Sequence, residues 1–174
     1  GSDKILAAMK RGYTVLEYKS IIKRLKIIRP DITFSSDFIV GFPGETEGDF
    51  LKTIDIIKEI QFDQSYSFIY SKRPGTPAAS IEDNISDEIK KERLCYLKET
   101  INSLSKNRSK TIIGEKIEIL VEGISSKYND MVVGRTKNNK IIYIAGNSTL
   151  IGEILNIKVT ELDNKTLKGE ILNI

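Results

Sequence analysis

The sequence of 174 residues contains no histidine and no tryptophan, and its only cysteine is Cys95. Without histidine the chain cannot form a Ser-His-Asp triad, a histidine general base or a histidine-ligated zinc site. One cysteine excludes an internal disulfide framework and cannot hold an iron–sulfur cluster. No apolar run approaches the roughly 18 residues of a membrane span, and no signal-peptide pattern is present. We therefore expect a soluble cytoplasmic protein with no membrane partner.

The composition is that of a globular protein, with 40% apolar residues, 29% charged residues and a net charge of +3. The charge is unevenly distributed. Residues 86–110 contain seven basic and four acidic side chains, and this difference equals the whole net charge. The segment is either the solvated face of a helix or a basic ridge that faces a polyanion.

Two patterns of periodicity divide the chain near Ile112. Before it, helix-like and strand-like segments alternate, which predicts parallel strands in a barrel segment or a doubly wound sheet. We predict helices at 3–10, 14–29, 46–60 and 86–110, and strands at 32–40 and 64–70. Thr14 and Thr46 each begin a helix as N-caps.

Strand 32–40 has two different faces. Ser35, Asp37 and Ile39 share a face that is too polar for a packed core, and this face suits a barrel interior that holds a polar ligand. The strand ends in the sequence GFPGE, residues 41–45. The two glycines of this turn allow the backbone to approach a ligand closely.

After Ile112 the pattern changes to short strands separated by turns. We predict strands at 116–121, 131–136, 140–144, 154–160 and 166–171. Five short strands in about sixty residues favour a small antiparallel barrel of the oligonucleotide-binding kind. The predicted domains are therefore 1–110 and 111–174, with helix 86–110 as their connection.

Four stretches together resemble one family. They are GSDKILAAMKRGYT (1–14), SSDFIVGFPGET (35–46), YSFIYSKRPGTPAA (66–79) and the five-strand tail. The chain is similar to the C-terminal portion of a radical S-adenosylmethionine (SAM) tRNA methylthiotransferase, and its tail resembles the RNA-binding TRAM domain of that family. The resemblance implies an α/β plus all-β fold: the last part of a (β/α) radical SAM barrel, followed by a five-stranded antiparallel β-barrel.

The resemblance also implies an activity, the addition of a methylthio group to the isopentenylated adenosine beside the anticodon. The family uses S-adenosylmethionine and two 4Fe-4S clusters, whose cysteine ligands lie upstream in the family pattern. We therefore expect no catalytic residue and no metal ligand here, and we expect the chain alone to be inactive. The expected partner is the tRNA anticodon stem-loop, and the full-length protein is expected to be a monomer.

Ten residues are candidates for cofactor binding under this resemblance: Ser2, Arg11, Ser35, Asp37, Ile39, Gly41, Gly44, Glu45, Ile69 and Tyr70. Alternatives remain open for several of them. Glu45 either accepts hydrogen bonds from the ammonium group of the cofactor or from nearby backbone, or is a first-turn acid favoured by the helix dipole. Asp37 either contacts the cofactor or pairs with a basic residue. Either face of strand 64–70 could line the site.

Five cationic residues are candidates for RNA contact: Arg73, Lys127, Arg135, Lys137 and Lys140. Tyr128 and Tyr143 are candidates for base stacking, or else ordinary barrel aromatics. Residues 111–174 carry eight basic and eight acidic side chains, so any RNA-binding patch has to be one-sided.

Other functions remain open. A stand-alone RNA-binding TRAM module with an inactive barrel remnant is one alternative. Within the family, the substrate could be threonylcarbamoyl-adenosine or a ribosomal protein, although Arg73-Pro74 and the strand sequences favour isopentenylated tRNA. A barrel begun partway would leave an unpaired strand edge, so we expect the isolated chain to be poorly soluble or marginally stable.

Overall fold

The computed structural model describes residues 1–164 and 166–172. The chain divides into two compact units, Gly1–Ser105 and Lys106–Ile174, here called the α/β unit and the barrel unit. Within the described residues, no helix is both long and apolar enough to cross a membrane.

The α/β unit contains most of the helical residues. The helices are α1 (Asp3–Ala8), α2 (Val15–Ile28), α3 (Glu47–Ile60) and α4 (Asp87–Thr111), whose last turns belong to the barrel unit; the strands are β1 (Ser35–Val40) and β2 (Gln64–Ile69). Thr14 and Thr46 cap α2 and α3, each in a complete capping box. A short 3-10 helix, Pro77–Ser80, precedes α4.

Strands β1 and β2 pair in parallel, from Ser35 opposite Gln64 to Val40 opposite Ile69, with α3 as their crossover. Strand β1 begins three residues later than predicted, because its ladder starts where β2 starts. The predicted alternation is present: Phe38 and Val40 are buried, whereas Ser35, Asp37 and Ile39 are exposed.

The core of this unit lies among α2, β1, β2, α3 and α4. Its buried side chains are Ile22, Phe38, Val40, Phe50, Ile54, Ile56, Ile57, Ile60, Phe62, Leu97 and Ile101. Five of the eleven come from α3, whose apolar residues recur at helical spacing and so form one continuous face. This packing fixes the turn at the end of β1 on a rigid support.

The barrel unit is a closed five-stranded barrel with the strand order β3-β4-β5-β7-β6. The strands are β3 (Lys116–Ile124), β4 (Met131–Thr136), β5 (Ile141–Ala145), β6 (Ile154–Asp163) and β7 (Thr166–Ile171). All five predicted strands are present, with ends that differ by up to three residues. Eight residues form the interior: Ile119, Val121, Val132, Ile142, Ile144, Ile157, Val159 and Leu167.

The prediction of a wholly antiparallel barrel is wrong, because β5 and β7 pair in parallel. The other four pairs are antiparallel. The reason is geometric: strand directions cannot alternate around a closed ring with an odd number of strands. A closed barrel of five strands therefore needs at least one parallel pair.

Candidate functional site

The turn after β1 depends on glycine at its first position. Gly41 has a φ of +69°, and a Cβ atom there would lie 2.5 Å from Cγ of Lys90. Gly44 has a φ of +81° but no heavy atom within 4 Å of its Cβ position. Gly41 is thus required by both conformation and space, and Gly44 by conformation alone.

The side chain of Glu45 stabilises this turn through hydrogen bonds to the turn itself and to α4. Its buried carboxylate oxygen Oε2 accepts hydrogen bonds from the Gly41 amide and from Nη1 of Arg93, both at 2.8 Å. Arg93 also donates to Oε2 of Glu47 at 3.1 Å. Burial raises the pKa of Glu45 despite these bonds. The carboxylate therefore binds the turn to α4. Of the alternatives left open for Glu45, the structure shows the hydrogen bond from nearby backbone, which the Gly41 amide donates.

A second network ties α1 to the start of α3 through Asp49. Ser2 donates its hydroxyl to Oδ1 of Asp49 at 2.7 Å, and Nζ of Lys4 lies 3.2 Å from Oδ2. Lys4 also donates to the Gly44 carbonyl at 2.8 Å. Burial alone would raise the pKa of Asp49, but hydrogen bonds from Thr46, Ser2 and Lys4 hold it well below its usual range.

The sequence pattern identifies Asp49 only as the third residue of α3, within the capping box of Thr46. Its partners Ser2 and Lys4 are more than forty residues away along the chain, so no local pattern could reveal them. Arg93 was missed for the same reason. It lies 48 residues from Glu45, in a segment that the sequence describes either as the solvated face of a helix or as a basic ridge that faces a polyanion.

Two cavities lie beside these networks in the α/β unit. The smaller has a volume of about 150 Å³ and the larger about 660 Å³. The smaller is lined by five of the candidate cofactor-binding residues: Ser2, Arg11, Asp37, Ile39 and Glu45. The larger is lined by four of them together with Arg73: Arg11, Ile39, Ile69 and Tyr70. Arg11 and Ile39 line both cavities, so the two lie next to each other.

The other three candidates do not line these cavities. Ser35 is exposed at the first position of β1, and Gly41 and Gly44 lie in the turn already described. The neighbouring Ser36, which was predicted on the opposite face, does line the smaller cavity.

The hydroxyl group of Tyr70 is an unpaired polar group in the described part of the chain. Its phenolic oxygen is buried and has no hydrogen-bond partner among the described residues. The ring is fixed by an edge contact with Phe42, at 5.1 Å between centroids, and its backbone amide donates to the Val40 carbonyl. An unpaired buried hydroxyl is costly, so Tyr70 brings an unsatisfied polar group to the wall of the larger cavity.

In the barrel unit, carboxylates neutralise two of the candidate RNA-binding residues. Nε of Arg135 lies 2.6 Å from Oε1 of Glu122, and Nζ of Lys137 lies 3.0 Å from Oε1 of Glu118. Lys140 contacts the hydroxyl of Ser109 at 3.2 Å. Arg73 is exposed in the loop after β2.

The fifth candidate, Lys127, is part of an aromatic cluster. Its Nζ atom lies 4.8 Å from the ring centroid of Tyr128, and Nζ of Lys168 lies 5.3 Å from the same centroid. Tyr128 and Tyr143 meet edge to face with their centroids 5.0 Å apart. The two candidate tyrosines are therefore in contact, and Lys168 is a cation that sequence reasoning did not include.

The side chains described here do not provide a metal centre. No group of three or more histidine, cysteine, aspartate or glutamate residues is arranged to hold an ion in the described part of the chain. Cys95 is exposed on α4, and its thiol contacts Oε1 of Glu99 at 3.5 Å. The hydrogen bond to Glu99 raises the pKa of this thiol, which is the opposite of what a metal ligand requires.

Comparison with known proteins agrees with the resemblance found in the sequence. Residues 110–172 match the TRAM domain family. The chain is 51% identical over 172 residues to a tRNA-2-methylthio-N(6)-dimethylallyladenosine synthase of Francisella philomiragia. It is 52% identical over the same length to the synthase of that name from Francisella tularensis subsp. novicida. The resemblance to the tRNA methylthiotransferases is therefore confirmed.

These matches cover 99% of the chain but only 39% of each relative. The chain thus spans about two fifths of the length of the curated relatives it matches, and it corresponds to the part of them that carries the TRAM domain.

Proposed function

We propose that this chain is part of a cytoplasmic tRNA-modifying enzyme that adds a methylthio group to the isopentenylated adenosine next to the anticodon. The observation that carries the proposal is the identity of just over one half across 99% of the chain to synthases named for this product. The α/β unit would form one side of the radical SAM barrel, and the barrel unit would bind the tRNA anticodon stem-loop.

The residues at the two cavities fit S-adenosylmethionine. A volume of about 660 Å³ is in the usual range for a cofactor pocket. Asp37 offers a carboxylate for ribose hydroxyls or an ammonium group, and Arg11 offers a guanidinium for a carboxylate. Ile39 and Ile69 offer apolar contact for an adenine ring.

In this proposal S-adenosylmethionine, with the two 4Fe-4S clusters, supplies the radical and the methyl group. The residues of this chain bind and orient, and they do not carry the cluster ligands. Glu45 and Arg93 keep the β1–α3 turn in one conformation, so that the backbone at Gly44 stays open toward solvent. Ser2, Lys4 and Asp49 keep α1 against that turn. The site is thereby held in shape before the ligand arrives.

A chimeric enzyme tests the proposal. Residues 1–172 of this chain would replace the matching region of the F. philomiragia synthase, in a bacterial strain without its own synthase. The expected result is methylthiolated adenosine in tRNA digests, detected by mass spectrometry. A chimera that folds and shows iron–sulfur absorbance, yet leaves the isopentenylated adenosine unmodified, would contradict the proposal. An Asp37→Ala chimera, altered at an exposed side chain, is expected to lose the product without losing the clusters.

A stand-alone RNA-binding function is the second candidate, because the barrel unit has a closed sheet and a core of its own. The two functions differ in what the chain recognises. An RNA-binding module alone would bind anticodon stem-loops equally with and without the isopentenyl group, and a chimera containing it would be inactive.

A further inference from the structure

The aromatic cluster of the barrel unit has the features of a nucleotide-binding site. It comprises Lys127, Tyr128, Tyr143, Asp163 and Lys168, and we call it the tyrosine cluster. Its members come from the β3–β4 loop, β5, the end of β6 and β7. Tyr143 and Lys168 are register partners in the parallel β5–β7 pair, which brings them side by side on the outside of the barrel.

The rings are held in place before any ligand binds. The hydroxyl of Tyr128 donates to Oδ2 of Asp163 at 3.3 Å. The backbone amides of Lys127 and Tyr128 both donate to Oγ of Ser125, at 3.1 and 2.8 Å. Tyr128 and Tyr143 are each half-buried, so each ring is anchored and still partly exposed. Anchored aromatic rings lose little conformational entropy when a base stacks on them.

The two lysines of the cluster differ in whether a carboxylate forms an ion pair with them. Nζ of Lys168 lies 3.3 Å from Glu161 and 3.8 Å from Asp163. Nζ of Lys127 contacts the hydroxyl of Thr166 at 3.1 Å, and no carboxylate lies within 4 Å of it among the described residues. Lys127 therefore forms no direct ion pair among the described residues, although the charge of Asp163 in the same cluster attracts it. Arg135 and Lys137, in contrast, are paired with glutamates.

We propose that the tyrosine cluster binds one unpaired nucleotide of an RNA strand. The base stacks against Tyr128 and Tyr143, and the adjoining phosphate is bound by Lys127 with Lys168 beside it. The inference rests on the proposed RNA-binding function of the barrel unit, and it moves the expected contact away from Arg135 and Lys137. An unpaired nucleotide is the fitting partner because a base within a duplex has no free face to offer to a ring.

Binding of single-stranded RNA to the 174-residue chain tests the inference. Fluorescence anisotropy with a labelled oligonucleotide would be measured across a salt series. Lys127→Gln is expected to weaken binding several-fold and to lower the slope of log affinity against log salt by about 0.7. Lys116→Gln, which removes one exposed lysine at the start of β3, is the matched control and should change neither quantity. A duplex of equal length should bind more weakly than the single strand.

The ring is tested separately from the charge. Tyr128→Leu is expected to weaken binding on the order of tenfold, whereas Tyr128→Phe keeps the ring, loses only the hydrogen bond to Asp163 and should weaken binding much less. RNA that contains 5-iodouridine should crosslink under light to Tyr128 or Tyr143, as mapped by mass spectrometry. If Tyr128→Leu does not fold, Lys127→Gln and the crosslink decide the question.

The outcomes separate the two levels of the argument. If the parent chain binds no RNA, the proposed RNA-binding function of the barrel unit fails, and the inference fails with it. If the parent chain binds RNA but Lys127→Gln binds equally well, or the crosslinks fall outside the tyrosine cluster, the inference alone is overturned. Preference for the duplex would also overturn it.

Discussion

Arg93 and Glu45 form a buried ion pair, with Nη1 of the guanidinium 2.8 Å from Oε2 of the carboxylate. The pair joins α4 to the turn after β1 within the α/β unit. Arg93 is 7% exposed and Glu45 is 5% exposed. If either side chain were removed, the charge of the other would be buried without an ionic partner and without solvent. The shape of the candidate cofactor site therefore depends on a residue that lies outside it.

Replacement of Arg93 tests this dependence. Arg93→Met leaves the Glu45 carboxylate buried, with the Gly41 amide as its remaining hydrogen-bond partner in the described part of the chain. Loss of one member of a buried pair costs about 3 kcal/mol, so the free energy of unfolding should fall by that order. Urea unfolding followed by circular dichroism measures the change. Lys91→Met, at an exposed position on the same helix, is the control, and an equal loss in both variants would refute the role of the pair.

Alanine at the two glycines of the turn separates steric from conformational cost. Gly41→Ala introduces both a positive φ and a contact with Lys90, and it should lower stability by about 2 kcal/mol or more. Gly44→Ala introduces only the positive φ, so about 1 kcal/mol is expected. Gly48→Ala, near the start of α3 with only Thr46 Oγ1 at 3.9 Å, should be close to neutral. Thermal melts of the three variants would give the order directly, and similar values at positions 41 and 48 would contradict it.

Stability below neutral pH should depend on Asp49. Its pKa is lower in the folded chain than its ordinary value of 3.8, so the ionised carboxylate stabilises the fold. That contribution is complete above this value and is lost as the pH falls below it. Asp49→Asn should lower stability by about 1–2 kcal/mol at neutral pH and flatten its decline in acid. Unfolding free energies from pH ~2 to ~7 measure this.

The raised pKa of Glu45 acts in the opposite sense. Its folded pKa exceeds its ordinary value of 4.5, so its contribution to stability falls as the pH rises through the interval between the two.

Asp55→Asn, at an exposed position of α3, serves as the control for Asp49→Asn. An unchanged acid profile in Asp49→Asn would show that the network around Asp49 is not ionised as described.

The barrel interior should not tolerate a methyl group at Gly169. A Cβ atom there would lie 2.7 Å from Cδ1 of Ile157 and 2.8 Å from the backbone oxygen of Lys158. Since a backbone atom has to move, Gly169→Ala should destabilise the barrel unit by about 1–3 kcal/mol. Gly123→Ala, with nothing within 4 Å, should cost much less. Hydrogen exchange of the β6 and β7 amides reports on this unit specifically, and equal exchange rates in the two variants would disprove the prediction.

Local chemistry in the sequence was sufficient to predict much of the fold. The capping boxes at Thr14 and Thr46 placed two helices, because each involves residues three positions apart. The alternation of Asp37 and Ile39 with buried neighbours followed from the period of a strand. These features depend on the nearest residues alone, so a single sequence contains all the information they need.

The remaining features depend on residues that are brought together by the tertiary structure. The bond between Ser2 and Asp49 spans 47 positions, and the contact between Lys168 and Tyr128 exists only after the barrel closes. The parallel β5–β7 pair was missed because strand patterns contain no sign of direction. The candidate site could accordingly be outlined from the sequence, but the bonds that hold it could not.

The position of β7 between β5 and β6 has a consequence for synthesis on the ribosome. Strand order differs from chain order only at this point, since β7 inserts between two strands made before it. Until Thr166–Ile171 has left the exit tunnel, β5 and β6 each present an open edge and the barrel cannot close. The α/β unit precedes it in the chain, so during translation the candidate cofactor site can fold while the barrel unit is still an open sheet. Nascent chains that stop before β7 would therefore be the aggregation-prone species of this protein.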